Sequence, residues 1–206
     1  RVTLDNRLDE PTIVHWHGLT IDSANDGNGD RTAAPGARFD YAFAIANRAG
    51  TYWYHPHPHG ITAGQVHRGL FGMLLVVDDE ERALAKALAT TLGTTDVPLT
   101  ISDHRHAAPA TYAPSDADRQ MGYLGDEMRV NGVARAWLVV ATRGYRLRVL
   151  NAANARTFRL AFRGADGNLL PFMLLGTDGG LLAHPVACRE LFLGTAERAD
   201  LWIDFS

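Results

Sequence analysis

Two short stretches carry the side chains best suited to chemistry. "HWHG" spans residues 15–18 and "WYHPHPHG" spans 53–60, so four of the nine histidines fall into two His-x-His pairs, His15/His17 and His55/His57. On a β-strand the side chains at i and i+2 share a face. Two such strands side by side would present four imidazoles to one small volume, and neutral imidazole ligates copper, zinc, nickel and iron. A single His-x-His reads more simply as a polar strand face turned to water. Two pairs, each beside a tryptophan and followed by glycine, weigh against that, since glycine lets another backbone approach closely. Structural zinc sites usually recruit thiolates, and no cysteine lies near either pair.

The elements that must position these residues read as strands. Short apolar runs rich in Thr, Val, Tyr and Phe recur between Gly, Pro, Asn and Asp: "RFDYAFAI" (38–45), "GTYWYH" (50–55), "AWLVVA" (136–141), "YRLRVLNA" (145–152), "TFRLAF" (157–162) and "ADLWIDF" (199–205). This spacing predicts an all-β sandwich or barrel. "YRLRVL" alternates, with Leu147 and Val149 on one face and Arg146 and Arg148 on the other. One helix is expected, over 78–92, where acidic residues open a run of Ala, Leu and Lys. The expected boundaries are a first β-domain over 1–79, a linker with the helix over 80–98, and a second β-domain over 99–206. A long Ala-, Pro- and Asp-rich loop is expected over 105–127. "RVTLDNRL" begins in mid-pattern and "ADLWIDFS" stops within one. The expectation is a piece of a longer parent, with the opening strands of the first domain lying before Arg1.

Bulk properties narrow the functions. Hydrophobic residues make up 46% of the 206, enough for a substantial core. A net charge of −3 without blocks of like charge argues against nucleic acid as a partner. No apolar run approaches the ~20 residues of a membrane span. The lone cysteine, Cys188, rules out an intrachain disulfide framework.

With "HWHG" (15–18) and "GTYWYHPHPHG" (50–60) in place, the sequence resembles the multicopper oxidases, which include laccases, bilirubin oxidases and bacterial copper-tolerance oxidases. The likeness continues through "QVHRGLFGMLLV" (65–76), "VNGVARAWLVV", "RLRVLNAANARTFRLAF" and "GTDGGLLAHPVACRELFLGTAERADLWIDF". The resemblance implies two cupredoxin-like Greek-key domains, the first incomplete. It implies that His15 ligates a type 2 copper, that His17 and His55 ligate one type 3 copper, and that His57 ligates the other. The family's trinuclear cluster takes eight histidines. The remaining four, in H-x-x-H-x-H and H-C-H motifs absent here, would come from a third cupredoxin domain, as would the type 1 copper cysteine.

The resemblance further implies a laccase-like oxidoreductase. It would oxidise a small phenolic, aromatic or metal-ion reductant one electron at a time and reduce dioxygen to water. A secreted or periplasmic location goes with it. The 206-residue chain alone would be inactive, and acid would release its copper near pH ~6.5 as histidine protonates. Rival readings are a non-catalytic copper-binding or assembly module, and a subunit of a two-domain oxidase with sites between chains.

Asp26, in "NDG", matches by position a family aspartate that helps deliver protons to oxygen; Asp-Gly is also a turn signal. His59 is expected to support or orient the ligands. His67 and His184 read as lone residues, "HRH" (104–106) as a solvated pair, and Cys188 as a small buried hydrophobe.

Overall fold

A computed structural model describes residues 1–106 and 111–206. Part of the loop expected over 105–127 therefore lies outside the described residues. The chain is dominated by strands. In the first half they are β1 (Val2–Asp5), β2 (Val14–His17), β3 (Arg38–Tyr41), β4 (Gly50–Pro56) and β5 (Gly72–Val76). A six-residue helix, α1 (Thr62–His67), interrupts them, and α2 (Asp79–Ala87) follows. Then come β6 (Asp96–His104), α3 (Asp116–Met121), β7 (Glu127–Val130), β8 (Val133–Ala134) and β9 (Gly144–Asn151). The second half closes with β10 (Phe158–Leu160), β11 (Phe162–Arg163), β12 (Leu169–Leu170), β13 (Phe172–Thr177), β14 (Gly180–Cys188), β15 (Leu191–Leu193) and β16 (Arg198–Asp204).

The all-β expectation holds, as an assembly of open sheets. β2, β4 and β5 form a three-stranded sheet with β4 in the middle, and β1 pairs with β3. Seven strands make the largest sheet, in the order β14-β13-β16-β9-β6-β7-β8, while β10 pairs β15 and β11 pairs β12. Tyr145, Leu147, Val149, Leu201 and Ile203 on one face of the large sheet meet Phe172 and Leu193 in the main core. Trp16, Tyr41, Tyr52 and Ile13 form a second core around β2 and β4. A third, of Trp53, Leu150 and Ala152, joins β4 to β9.

The expected helix appears as α2, capped by Asp78, whose side chain accepts the Glu81 N–H, and opened by Asp79, Glu80 and Glu81. Two elements depart from expectation. Residues 136–141 form no strand; Trp137 and Val139 are exposed and Asp-free "AWLVVA" pairs with nothing regular among the described residues. The long loop contains α3, set by a capping box between Ser115 and Asp118.

The arginine face of β9 is buried. Arg146 spans Glu81 (Nη1 to Oε1, 2.5 Å) and Asp200 (Nε to Oδ1, 2.8 Å). Arg148 spans Asp96 (Nε to Oδ1, 2.8 Å) and Glu81 (Nη2 to Oε1, 2.6 Å). Alternation identifies two faces but not what covers each. Here α2, β6 and β16 supply three carboxylates that pair the guanidinium groups, and this ties α2 to the large sheet.

Candidate metal centre

β2 and β4 run antiparallel with His15 opposite His55, Trp16 opposite Tyr54 and His17 opposite Trp53. Directly opposed residues share a face, so this register alone places His15, His17, Trp53 and His55 together. The His57 N–H donates to the Ile13 carbonyl (3.0 Å), carrying the pairing one step further. Trp16 turns to the other side, into the core, with its ring 5.2 Å from that of Tyr41.

The four imidazoles converge. Ring centroids are 5.5 Å apart for His15–His17, 5.2 Å for His15–His55, 5.2 Å for His15–His57 and 5.4 Å for His17–His55. One ring nitrogen from each of His15, His17 and His55 lies within 4.8 Å of the others. Beneath them Trp53 packs at small interplanar angles against His55 (4.3 Å) and His17 (5.0 Å).

Hydrogen bonds orient the rings. His15 Nδ1 lies 2.7 Å from the Asp26 carbonyl oxygen, so Nδ1–H donates there and Nε2 is left as the ligand atom. Asp26 Oδ1 stands 3.3 Å from the same nitrogen, beside the cluster without joining its ligand atoms. His55 Nδ1 lies 2.9 Å from the Pro56 carbonyl, which likewise frees its Nε2. His57 Nδ1 is buried without a hydrogen-bond partner.

Two glycines make this possible. Gly27 has φ +75°, and a Cβ there would lie 1.9 Å from the Val14 carbonyl oxygen; only glycine lets the 22–30 loop press onto β2 and aim Asp26 at His15. Gly18 has φ +90° and ends β2 where a Cβ would strike Arg198 and Tyr52.

Burial favours the neutral form of three of the rings. Burial, reinforced by Arg198 and by the neighbouring imidazoles, pushes His17 down to about 4. Burial likewise pushes His55 down to about 4, with His15 and His17 adding to it. Burial also lowers His57. Neutral imidazole is the ligating form, so His17, His55 and His57 are held in the form that can ligate.

The other expectations fare unevenly. His59 and His184 are exposed. His67 is not a lone residue: it is buried, and its ring stands 4.4 Å from His104, within a cluster that includes Tyr112 and Tyr123. "HRH" divides, with His104 half-buried there and His106 exposed beside Glu127. Cys188 is half-buried against the main core, its Sγ 3.6 Å from the Val186 carbonyl. Sequence reading passed over Trp53 as a floor to the site and Arg198 as its neighbour. Trp53 was signalled by its place two residues before His55; nothing in the sequence pointed to Arg198.

Comparison with known proteins places the chain among similar sequences and folds. Residues 1–81 match the family described as "Multicopper oxidase". The multicopper oxidase mco of Staphylococcus epidermidis is 33% identical over 206 residues, covering all of this chain and 44% of that protein. The cell division protein FtsP of Xenorhabdus nematophila is 36% identical over 209 residues, again covering all of this chain and 42% of the relative. The crystal structure of McoA multicopper oxidase from Aquifex aeolicus superposes with a TM-score of 0.92 at 37% identity, over 98% of this chain and 44% of that one. The chain spans less than half the length of these relatives. Residues 1–81 match the multicopper oxidase family, and the whole chain is similar in sequence and fold to part of longer multicopper oxidases.

Proposed function

We propose that His15, His17, His55 and His57 hold copper, as one half of a trinuclear centre in a laccase-like oxidase. The observation that carries this reading is the convergence of three ring nitrogens within 4.8 Å, with His57 alongside. Among the described residues no thiolate or carboxylate joins that group, and an all-imidazole donor set suits copper. The unpaired His57 Nδ1 marks a further polar atom in need of a partner.

In this reading His15 serves a type 2 copper through Nε2. His17 and His55 serve one type 3 copper, and His57 serves the other. Copper held there would supply the four-electron reduction of dioxygen to water, drawing on electrons that a phenolic, aromatic or metal-ion reductant would give one at a time to a type 1 copper outside this chain. The chain's own residues hold and orient. The Asp26 carbonyl fixes the His15 tautomer, and the Pro56 carbonyl fixes that of His55. The Asp26 side chain, 43% exposed and 3.3 Å from His15 Nδ1, is placed to pass protons between solvent and the site. Residues 1–79 and 99–206 are the two cupredoxin units in this scheme, with 80–98 as the linker. A further cupredoxin domain completes the ligand set and brings the type 1 cysteine, since Cys188 has no histidine beside it in the sequence. A secreted or periplasmic setting accompanies this reading.

The second reading is a copper-holding module with no turnover of its own, and the FtsP likeness, a relative named for cell division rather than oxidation, favours it. Copper titration of the 206-residue chain, followed by electron paramagnetic resonance and oxygen uptake, separates the outcomes. Bound Cu(II) with nitrogen hyperfine structure, no intense blue band and no oxygen consumption is expected. No stoichiometric binding would overturn the copper assignment. A blue, oxygen-consuming product would overturn the half-site assignment.

A further inference from the structure

Arg198 opens β16 and is 3% exposed, wedged between the large sheet and β4. Its Nε donates to the Thr51 carbonyl at 3.1 Å, across 147 positions of sequence. Nη1 donates to the Ala196 carbonyl (3.0 Å) and Nη2 to the Asp178 carbonyl (3.1 Å). The Asp178 carboxylate lies 3.0 Å from Nη1 and accepts the Arg198 backbone N–H at 2.7 Å. All three guanidinium nitrogens are thus engaged, which holds the group in one orientation.

The guanidinium also stands 6.0 Å from the Tyr52 ring centroid and fills the space beside Gly18, the residue after His17. A Cβ on Gly18 would lie 2.7 Å from Nη2, so the guanidinium occupies the space a side chain would fill. Arg198 therefore touches both histidine strands, β2 one residue beyond His17 and β4 four residues before His55. β2 is four residues long and sits at the edge of its sheet, paired on one side by β4. A short edge strand frays unless something holds its end. β16 in turn is paired to β9 along its whole length, from Arg198–Leu150 to Asp204–Gly144, which gives the clamp a rigid base.

We propose that Arg198 is a positioning residue for the imidazole cluster, clamping the Gly18 turn and the Thr51 carbonyl so that the His17 and His55 rings keep their close approach. The inference rests on the copper reading for its purpose but not for its geometry. The planar fork of arginine reaches separate carbonyls at fixed angles; lysine, a single flexible point charge, cannot hold them all.

The test uses Arg198→Met and Arg198→Lys in the 206-residue chain. In the metal-free protein, a nuclear Overhauser contact between the His17 and His55 rings reports their approach. In the copper-loaded protein, competition titration gives affinity and the hyperfine pattern counts nitrogens. Arg198→Met is expected to lose the ring contact, weaken copper binding by roughly tenfold or more, and show fewer coordinated nitrogens. Arg198→Lys is expected to recover part of each. Wild-type ring contact and affinity in folded Arg198→Met would overturn the proposal. Should that variant not fold, the same wild-type values in Arg198→Lys would overturn it, and an intermediate loss would support it. An unmodified chain that keeps the ring contact yet takes up no copper would sink the copper reading, while the ring contact would still decide the role of Arg198.

Discussion

His17 Nδ1 and His55 Nε2 stand 3.2 Å apart, one from each histidine strand. With imidazole–metal bonds of about 2 Å, two nitrogens at this separation subtend roughly 106° at a shared ion, close to a tetrahedral angle. The separation between the two nitrogens already suits one shared ion. In the apo protein the two nitrogens instead share one proton as a weak hydrogen bond, which a metal would displace. His17→Ala and His55→Ala should each weaken copper binding by at least ~10-fold, because each removes a ligand from the same ion. Isothermal titration of both variants checks this, and the double variant should fall little further than the worse single one.

Acid should unfold the apo chain earlier than ordinary histidines would suggest. His17 and His55 ionise near 6.5 when unfolded and at about 4 when folded, so below 6.5 the unfolded chain binds the extra protons. The stability these neutral rings permit is complete above pH 6.5 and is lost as pH falls towards 4. Urea midpoints should drop across that window in the native sequence, and the drop should shrink in His17→Ala/His55→Ala. The same displacement means that metal competes with protons on these two rings at lower pH than the ~6.5 expected of free histidine.

Asp26 and Gly27 should separate cleanly. Asp26→Asn keeps the carbonyl that orients His15, so copper content should be unchanged; in an oxidase completed by the remaining domain, oxygen reduction should slow. Gly27→Ala should instead weaken copper binding and stability together, since its methyl meets the Val14 carbonyl and φ is +75°. Copper stoichiometry and thermal melting of both variants make the comparison. Equal copper loss in both would assign Asp26 to the turn alone.

Breaking the buried ion cluster should be costly. Arg146→Met strips Glu81 of one of its two guanidinium partners and leaves Asp200 only Arg148 at 3.7 Å, both carboxylates being nearly excluded from water, and a loss of about 3–5 kcal/mol is expected. Glu81→Gln should cost less, because the amide oxygen still accepts from one guanidinium. Denaturant melts measure both, and neither change should alter the ring contact between His17 and His55.

What the sequence determined by itself is the local chemistry: two His-x-His strands, the strand-rich class, the helix opened by Asp78, and the candidate ligands. Those follow from period-two alternation and capping, which neighbouring residues set. Tertiary structure decided the rest. The register that puts His15 opposite His55 depends on β2 and β4 meeting across nearly forty residues, and no short-range signal sets that pairing. The arginine face of β9 is buried because α2, β6 and β16 bring carboxylates to it, although alternation alone would leave it to water. Residues 136–141 have strand composition but no ladder partner among the described residues, so propensity alone did not make a strand. His67 and His104 lie 37 positions apart and stack only because α1 and the end of β6 meet. Arg198, 181 positions beyond His17, is brought beside it by packing between sheets, a placement that no spacing in the chain encodes.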